Sequence, residues 1–277
     1  MIKWIQKPKK TEVARYVDCY WFLKKDDRKK SDPYPKLNPD PAGHLILSPN
    51  EQDYFYSSKY ISIEGKGSHW LFPHKESFHM DHSNLSLILG VKFKIGGLYP
   101  LQLNSSRPAL DQVLEADLKT LFGARAIKPA NLLSLAEIDL ENCCARLDEL
   151  LQILFMEWQR DRHFNLTQRA LELIGKTTVS KLGELLNCSQ RTLERSFIKV
   201  TGLTLKQCQS MNRLEVLLEY LYLHKDTIDW ADVAYRFGFS DQPHLIRHLK
   251  NNIGATPGAY QQQRNLTIDI YGGVGVN

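Results

Sequence analysis

The last third of the chain carries one local pattern twice. It spans Val179 to Val200 (VSKLGELLNCSQRTLERSFIKV) and again Trp230 to Ile253 (WADVAYRFGFSDQPHLIRHLKNNI). Each time a short amphipathic segment runs into a turn residue, a Ser follows, and a second amphipathic segment carries an Arg six or seven residues later. The spacing predicts two helix-turn-helix units, in which one short helix braces a second across a tight turn.

The residue types meet the physical needs of such units. In the first, Leu182, Leu185 and Leu186 form the apolar face of the bracing helix, and Leu193, Phe197 and Ile198 that of its partner. Ser189 is placed to accept a backbone N–H at the start of the second helix. Gln190, Arg191, Thr192, Glu194 and Arg195 then face outward. In the second unit Val233, Ala234 and Phe237 are the buried set, Gly238 permits the turn and Phe239 packs beneath it. Ser240 or Asp241 caps, and Pro243 suits a first turn that needs no N–H partner. Leu245 and Leu249 face inward, leaving Gln242, His244, Ile246 and Arg247 outward. Helix-turn-helix units read DNA by placing the second helix in the major groove.

Lys206 to His224 reads as one connecting helix, apolar at Met211, Leu214, Leu218 and Leu221. A rise of ~1.5 Å per residue makes it roughly 28 Å long, near the ~34 Å between successive major-groove faces.

The remainder of the chain has another texture. Up to about residue 105, short apolar runs (His44–Leu47, Tyr60–Ile63, Leu85–Phe93) alternate with clusters of turn formers, as in a small antiparallel β sandwich or barrel. Thr11–Trp21 is ambiguous between helix and strand. From Pro108 the period becomes helical as far as Gly123, and a longer helix is expected from Leu135 or Leu140 to Gln159, with a polar linker over 159–165. The expected organisation is therefore α+β with two domains. Residues 1–160 form a β-rich regulatory, effector or dimerisation domain with capping helices. Residues 161–265 form an all-α domain with two helix-turn-helix units joined by a linker helix, and 266–277 a flexible tail.

Charge agrees with a DNA partner. The net charge is +5. From residue 162 onward 14 Lys and Arg stand against 10 Asp and Glu, so most of the excess lies with the repeated pattern. Hydrophobic content of 43% is ordinary for a globular chain. No apolar run reaches the ~20 residues of a membrane span, and the first residues lack a signal-peptide core. Five cysteines (Cys19, Cys143, Cys144, Cys188, Cys208) without metal-ligand spacing fit a reducing, cytoplasmic setting.

The tandem pattern resembles the DNA-binding domain of AraC-type transcription regulators over roughly residues 166–261. The strongest likeness is Val233–Tyr260, with Gly-Phe-Ser at 238–240 and Gly-Ala-Thr-Pro at 254–257. Ser189, Leu193, Arg195, Phe197, Gly202 and Arg213–Leu214 support it. Leu205, Leu217, Leu249 and Gln261 depart from residues usual in the family. A weaker likeness, at Asp40–Ser48 and Gly90–Pro100, links the N-terminal part to the family's β-rich regulatory domain.

The resemblance implies a DNA-binding regulator with base or backbone contacts from Gln190, Arg191, Thr192, Glu194, Arg195, Gln242, His244 and Arg247. Phosphate contacts would come from Ser189, Lys199, Ser240 and Lys250. It also implies a small-molecule effector, for which Trp21, Tyr54, Tyr56, Trp70 and Phe72 are candidate pocket walls. A homodimer, and RNA polymerase for an activator, are further implied partners. No cofactor and no metal are expected. His69, His74, His79 and His82 would serve the alternative of a metal-responsive regulator, but their spacing matches no established ligand motif. A protein-interaction module that keeps the fold is the other alternative. No phosphate loop or nucleophile elbow suggests an enzyme.

Overall fold

The computed structural model describes residues 1–25, 33–103, 108–156, 158, 161–224 and 228–272. Its strands are β1 (Ile2–Gln6), β2 (Val17–Lys24), β3 (Lys36–Leu37), β4 (His44–Leu47), β5 (Asp53–Ser57), β6 (Ser62–Lys66), β7 (His69–Leu71), β8 (Phe78–Met80), β9 (Leu87–Phe93) and β10 (Val113–Glu115). The helices are α1 (Thr11–Ala14), α2 (Leu118–Phe122), α3 (Pro129–Ile138), α4 (Leu140–Met156), α5 (Arg162–Leu173), α6 (Val179–Leu185), α7 (Gln190–Thr201), α8 (Leu205–Leu223), α9 (Trp230–Arg236), α10 (Gln242–Ile253), α11 (Pro257–Gln263) and α12 (Thr267–Tyr271). None of the described helices is long and apolar enough to cross a membrane.

The strands form two antiparallel sheets, β1-β2-β9-β4-β7-β10 and β3-β8-β5-β6. Both orders are open, so of the two expected architectures the barrel is excluded. Tyr56, Phe78 and Met80 of the small sheet meet Leu71 and Val113 of the large one in a shared apolar cluster.

Strand β2 shows why its segment is ambiguous in the sequence. Tyr20 and Phe22 pack with Leu132, Leu147 and Leu151 from α3 and α4. Their neighbours Cys19, Trp21 and Leu23 pack on the opposite face with Ile46 and Ile88. A strand covered on both faces loses the alternation of apolar and polar residues. Before it, α1 is fixed by the buried Asp148 of α4, whose carboxylate accepts the N–H groups of Lys9 and Lys10, both at 2.9 Å, and the Tyr20 hydroxyl at 2.6 Å.

One expectation for 108–159 is corrected and one is resolved. The helix expected from Pro108 is instead an irregular stretch, strand β10 and the short α2. Asp111 adopts φ +56° and accepts the Lys75 N–H, which turns the chain so that Val113 pairs with Leu71. Asp117 then starts α2 by accepting the N–H groups of Lys119 and Thr120. Of the two starts expected for the longer helix, the structure has Leu140, where α4 begins. A separate α3 precedes it, the two divided at Asp139, whose side chain accepts the Asn142 N–H. Of the expected linker, 159 and 160 lie outside the described residues, and Asp161 caps α5 through the Phe164 N–H.

The expected tail also differs. Leu266 and Tyr271 are buried and bracket α12, which rests on the seam between the β-rich and helical parts; 273–277 lie outside the described residues. Along this seam Lys92 meets Glu215 at 2.8 Å, His82 Nδ1 meets the Tyr271 hydroxyl at 2.8 Å, and Tyr99 donates to Asp161 at 2.8 Å. Val200 of α7 packs into the cluster built on the large sheet.

Candidate nucleic-acid interface

The two units are built by the same local devices. In the first, Asn187 takes the left-handed conformation at φ +53°, and Cys188 N–H donates to the Gly183 carbonyl at 2.9 Å. A Cβ on Gly183 would lie 2.9 Å from the Cys188 oxygen, so the close approach of turn to helix requires glycine. Ser189 Oγ accepts the Thr192 N–H at 3.1 Å and begins α7.

In the second unit Gly238 takes the left-handed turn at φ +70°, and Phe239 N–H donates to the Ala234 carbonyl at 2.9 Å. The cap is Asp241, which accepts the His244 N–H at 2.7 Å; Ser240 Oγ donates to that carboxylate at 3.2 Å. Those bonds hold the Asp241 carboxyl below its usual range. Both second helices end on left-handed glycines, Gly202 and Gly254, and lead to capping threonines, Thr204 and Thr256.

Residues 182–263 match the family described as a helix-turn-helix domain, and residues 7–115 match a domain of unknown function, DUF6597. The C-terminal region is an AraC-type helix-turn-helix domain. Over 89 residues the chain is 32% identical to the HTH-type transcriptional regulator RipA of Corynebacterium diphtheriae. The match takes in 32% of this chain and spans only about a quarter (26%) of that protein. Among solved structures, ToxT from Vibrio cholerae is similar over 88% of this chain and 95% of its own, at 10% identity and a TM-score of 0.47. A structure of wild-type ToxT from the same species with bound unsaturated fatty acid is similar over 90% and 94%, at 14% identity and a TM-score of 0.44.

Within the AraC-type domain the outward residues fall mostly on the first turns of α7 and α10. Arg191, Thr192, Arg195, Gln242 and Arg247 are exposed, while Gln190, Glu194 and His244 are half-buried. Ser189 and Ser240 are exposed, with hydroxyls engaged in their caps. Lys199 and Lys250 are exposed in the last turns. Lys199 borders a cleft shared with Tyr99 and Phe72 of the β-rich part. Gln190 Oε1 and Glu194 Oε2 are buried oxygens without a hydrogen-bond partner among the described residues.

Three packing expectations are adjusted. Leu185 is 53% exposed and Ile198 43% exposed. Helix α6 ends at Leu185, and Leu186 takes the inward place as its cap. On α7 the inward set is Leu193, Ser196, Phe197, Val200 and Thr201. Phe237 is half-buried against its cluster.

Arg213 on α8 has a role that periodicity could not show. It donates to the Gly238 carbonyl at 3.3 Å, and its guanidinium lies 4.5 Å from the Phe239 ring centre, so the connecting helix braces the second turn. His248 also packs against Phe239, and burial together with Arg213 pushes its pKa down to about 4.

The expected effector walls do not form one site. Trp21 and Tyr56 line a cavity on the seam. Tyr54 stacks on His69 and faces a separate groove, Trp70 packs against Phe93 in the core, and Phe72 borders the cleft with Lys199. The histidines also disperse. His69 bonds the Tyr56 hydroxyl and the Gly67 carbonyl, His74 bonds the carbonyls of Phe72 and Asn38, His82 bonds Tyr271, and His79 is exposed. Among the described residues no three His, Cys, Asp or Glu side chains are grouped to hold a metal.

Proposed function

We propose that the chain is a sequence-specific DNA-binding transcription regulator that lays α7 and α10 into successive major grooves. Residues 161–265 bind DNA, and residues 1–160 modulate that binding through the seam. One observation carries this reading. The first two turns of both second helices present side chains to solvent, Arg191, Thr192 and Arg195 on α7 and Gln242 and Arg247 on α10, on backbones fixed by matched turns and caps. Arg191, Arg195 and Arg247 suit the paired acceptors on guanine, and the exposed Gln242 suits adenine. Helix α8 supplies the spacing, since its 19 residues span roughly 28 Å at ~1.5 Å each.

Fluorescence anisotropy of the full chain against a labelled random-sequence duplex, across a salt series, tests the reading. Binding that weakens with a log–log slope of about −4 to −7 is expected for several phosphate contacts. Negligible binding at low salt overturns it.

A further inference from the structure

The seam holds a cavity of about 150 Å³, walled by β2, β4, β8 and β9 on one side and by α8 and α12 on the other. Ile46, Leu71, Met80 and Ile88 form its apolar floor. This volume resembles that of an engineered apolar cavity that accepts benzene, so it suits one ring or a short alkyl body.

Two of the lining residues each carry a side-chain nitrogen without a partner among the described residues. Trp21 is 8% exposed and His44 9% exposed, yet Trp21 Nε1 and His44 Nδ1 are both buried without a hydrogen bond. Buried polar atoms are almost always paired, and leaving one unpaired is unfavourable. Their requirements are opposite. The indole N–H only donates. His44 presents Nε2 to the Asp40 carboxylate at 3.2 Å; in the tautomer that donates there, Nδ1 accepts. The two rings are 6.4 Å apart, edge to face. A hydroxyl both accepts and donates.

The charged lining is unbalanced. Lys92 is used by Glu215 at 2.8 Å and Asp40 at 3.9 Å. Glu219, one turn further along α8, also lines the cavity but takes part in no ion pair or hydrogen bond among the described residues. Three carboxylates therefore face one ammonium. Burial and the neighbouring Glu215 push the Glu219 carboxyl above its usual range, a cost that a cation would relieve.

We infer that this cavity is a binding site for a compact hydroxylated amine, with its ammonium on Glu219 and its hydroxyl between Trp21 and His44. Such a ligand would touch both parts of the chain at once and thereby link the modulating region to α8. That consequence rests on the DNA-binding reading, whereas the binding itself does not.

Tyramine, phenethylamine and 3-(4-hydroxyphenyl)propionate share size and differ in the groups the site distinguishes. Calorimetric titration of the full chain, without DNA, compares them. Tyramine should bind one per chain, phenethylamine at least threefold more weakly, and the carboxylate at least tenfold more weakly. Glu219→Gln, which loses no existing hydrogen bond, should weaken tyramine at least tenfold with an unchanged melting midpoint. In the unsubstituted protein, tyramine should move the Trp21 indole ¹H–¹⁵N resonance, identified by its loss in Trp21→Phe. An unmoved Trp21 resonance at millimolar tyramine overturns the site, as does a carboxylate that binds as well as the amine. Undiminished binding by Glu219→Gln overturns it too. Because no DNA is present, failure here leaves the DNA-binding reading standing, and the converse also holds.

Discussion

Lys92 on β9 and Glu215 on α8 form an ion pair across the seam, 2.8 Å from nitrogen to oxygen, with Asp40 3.9 Å from the same ammonium. This pair ties the large sheet to the helix that joins the two helix-turn-helix units. Asp40 and Glu215 hold Lys92 charged, its pKa well above the usual lysine value despite burial, and Lys92 and His44 hold Asp40 well below the carboxylate range.

Removing one partner strands the other. Lys92→Met should destabilise the chain by about 3–5 kcal/mol, the range seen when one member of a buried pair is deleted. Glu215 is about one-third exposed, so Glu215→Gln should cost about 1 kcal/mol. Denaturant unfolding of both and of the double variant measures the coupling. Additive losses would show that the pair contributes nothing.

Acid should loosen the fold well before the carboxylates titrate. Burial pushes the pKa values of His69 and His82 down to about 4, whereas in the unfolded chain they titrate near 6.5. Above about 6.5 both states are neutral and stability is full. As pH falls from 6.5 to 4 the unfolded chain takes up the protons first, and stability drops by about 1.4 kcal/mol per pH unit for each histidine. Asp40, depressed in the folded state, adds its own loss only below about pH 4. Unfolding free energy across pH 7 to 5 should fall steeply, and His82→Phe should flatten the slope by about one proton.

The turns distinguish glycine from other residues. Gly238 sits at φ +70°, and a Cβ there would meet nothing within 4 Å, so Gly238→Ala should cost only the left-handed backbone strain, about 1 kcal/mol. Asn187 at φ +53° tolerates Gly without loss, while Asn187→Val should cost about 1–2 kcal/mol. Thermal unfolding of the three variants ranks them directly.

On the DNA side, Arg247→Ala should weaken specific binding by about 1–3 kcal/mol and relax preference at one base pair. Lys250→Ala should weaken all sequences alike and reduce the salt slope by about one. Competition binding on specific and random duplexes separates the two outcomes. A uniform loss for Arg247→Ala would make it a backbone contact.

Local chemistry is legible in the sequence and distant pairing is not. The Ser189 cap, the Gly238 turn, Pro243 in a first turn and the length of α8 each depend on residues a few positions apart, and the structure has them all. The choice of cap between Ser240 and Asp241 needs geometry, since either side chain could serve. Strand β10 escapes because helical spacing at 110–122 competes with a partner strand some forty residues away, and the pairing prevails. Lys92 with Glu215, and Trp21 with Glu219 around one cavity, join residues far apart in the chain that no periodicity relates. The aromatic residues expected as walls of one pocket are scattered over the seam cavity, two grooves and the core, because aromatic content alone does not show which of them meet.

Selection of bound duplexes from a randomised pool by the full chain, followed by sequencing, tests the central claim most directly. Two half-sites about one helical turn apart are expected. Arg195→Ala should erase one half-site and Arg247→Ala the other. Enrichment of no motif, or of a single half-site unaffected by either substitution, would contradict the pairing of α7 and α10 on adjacent grooves.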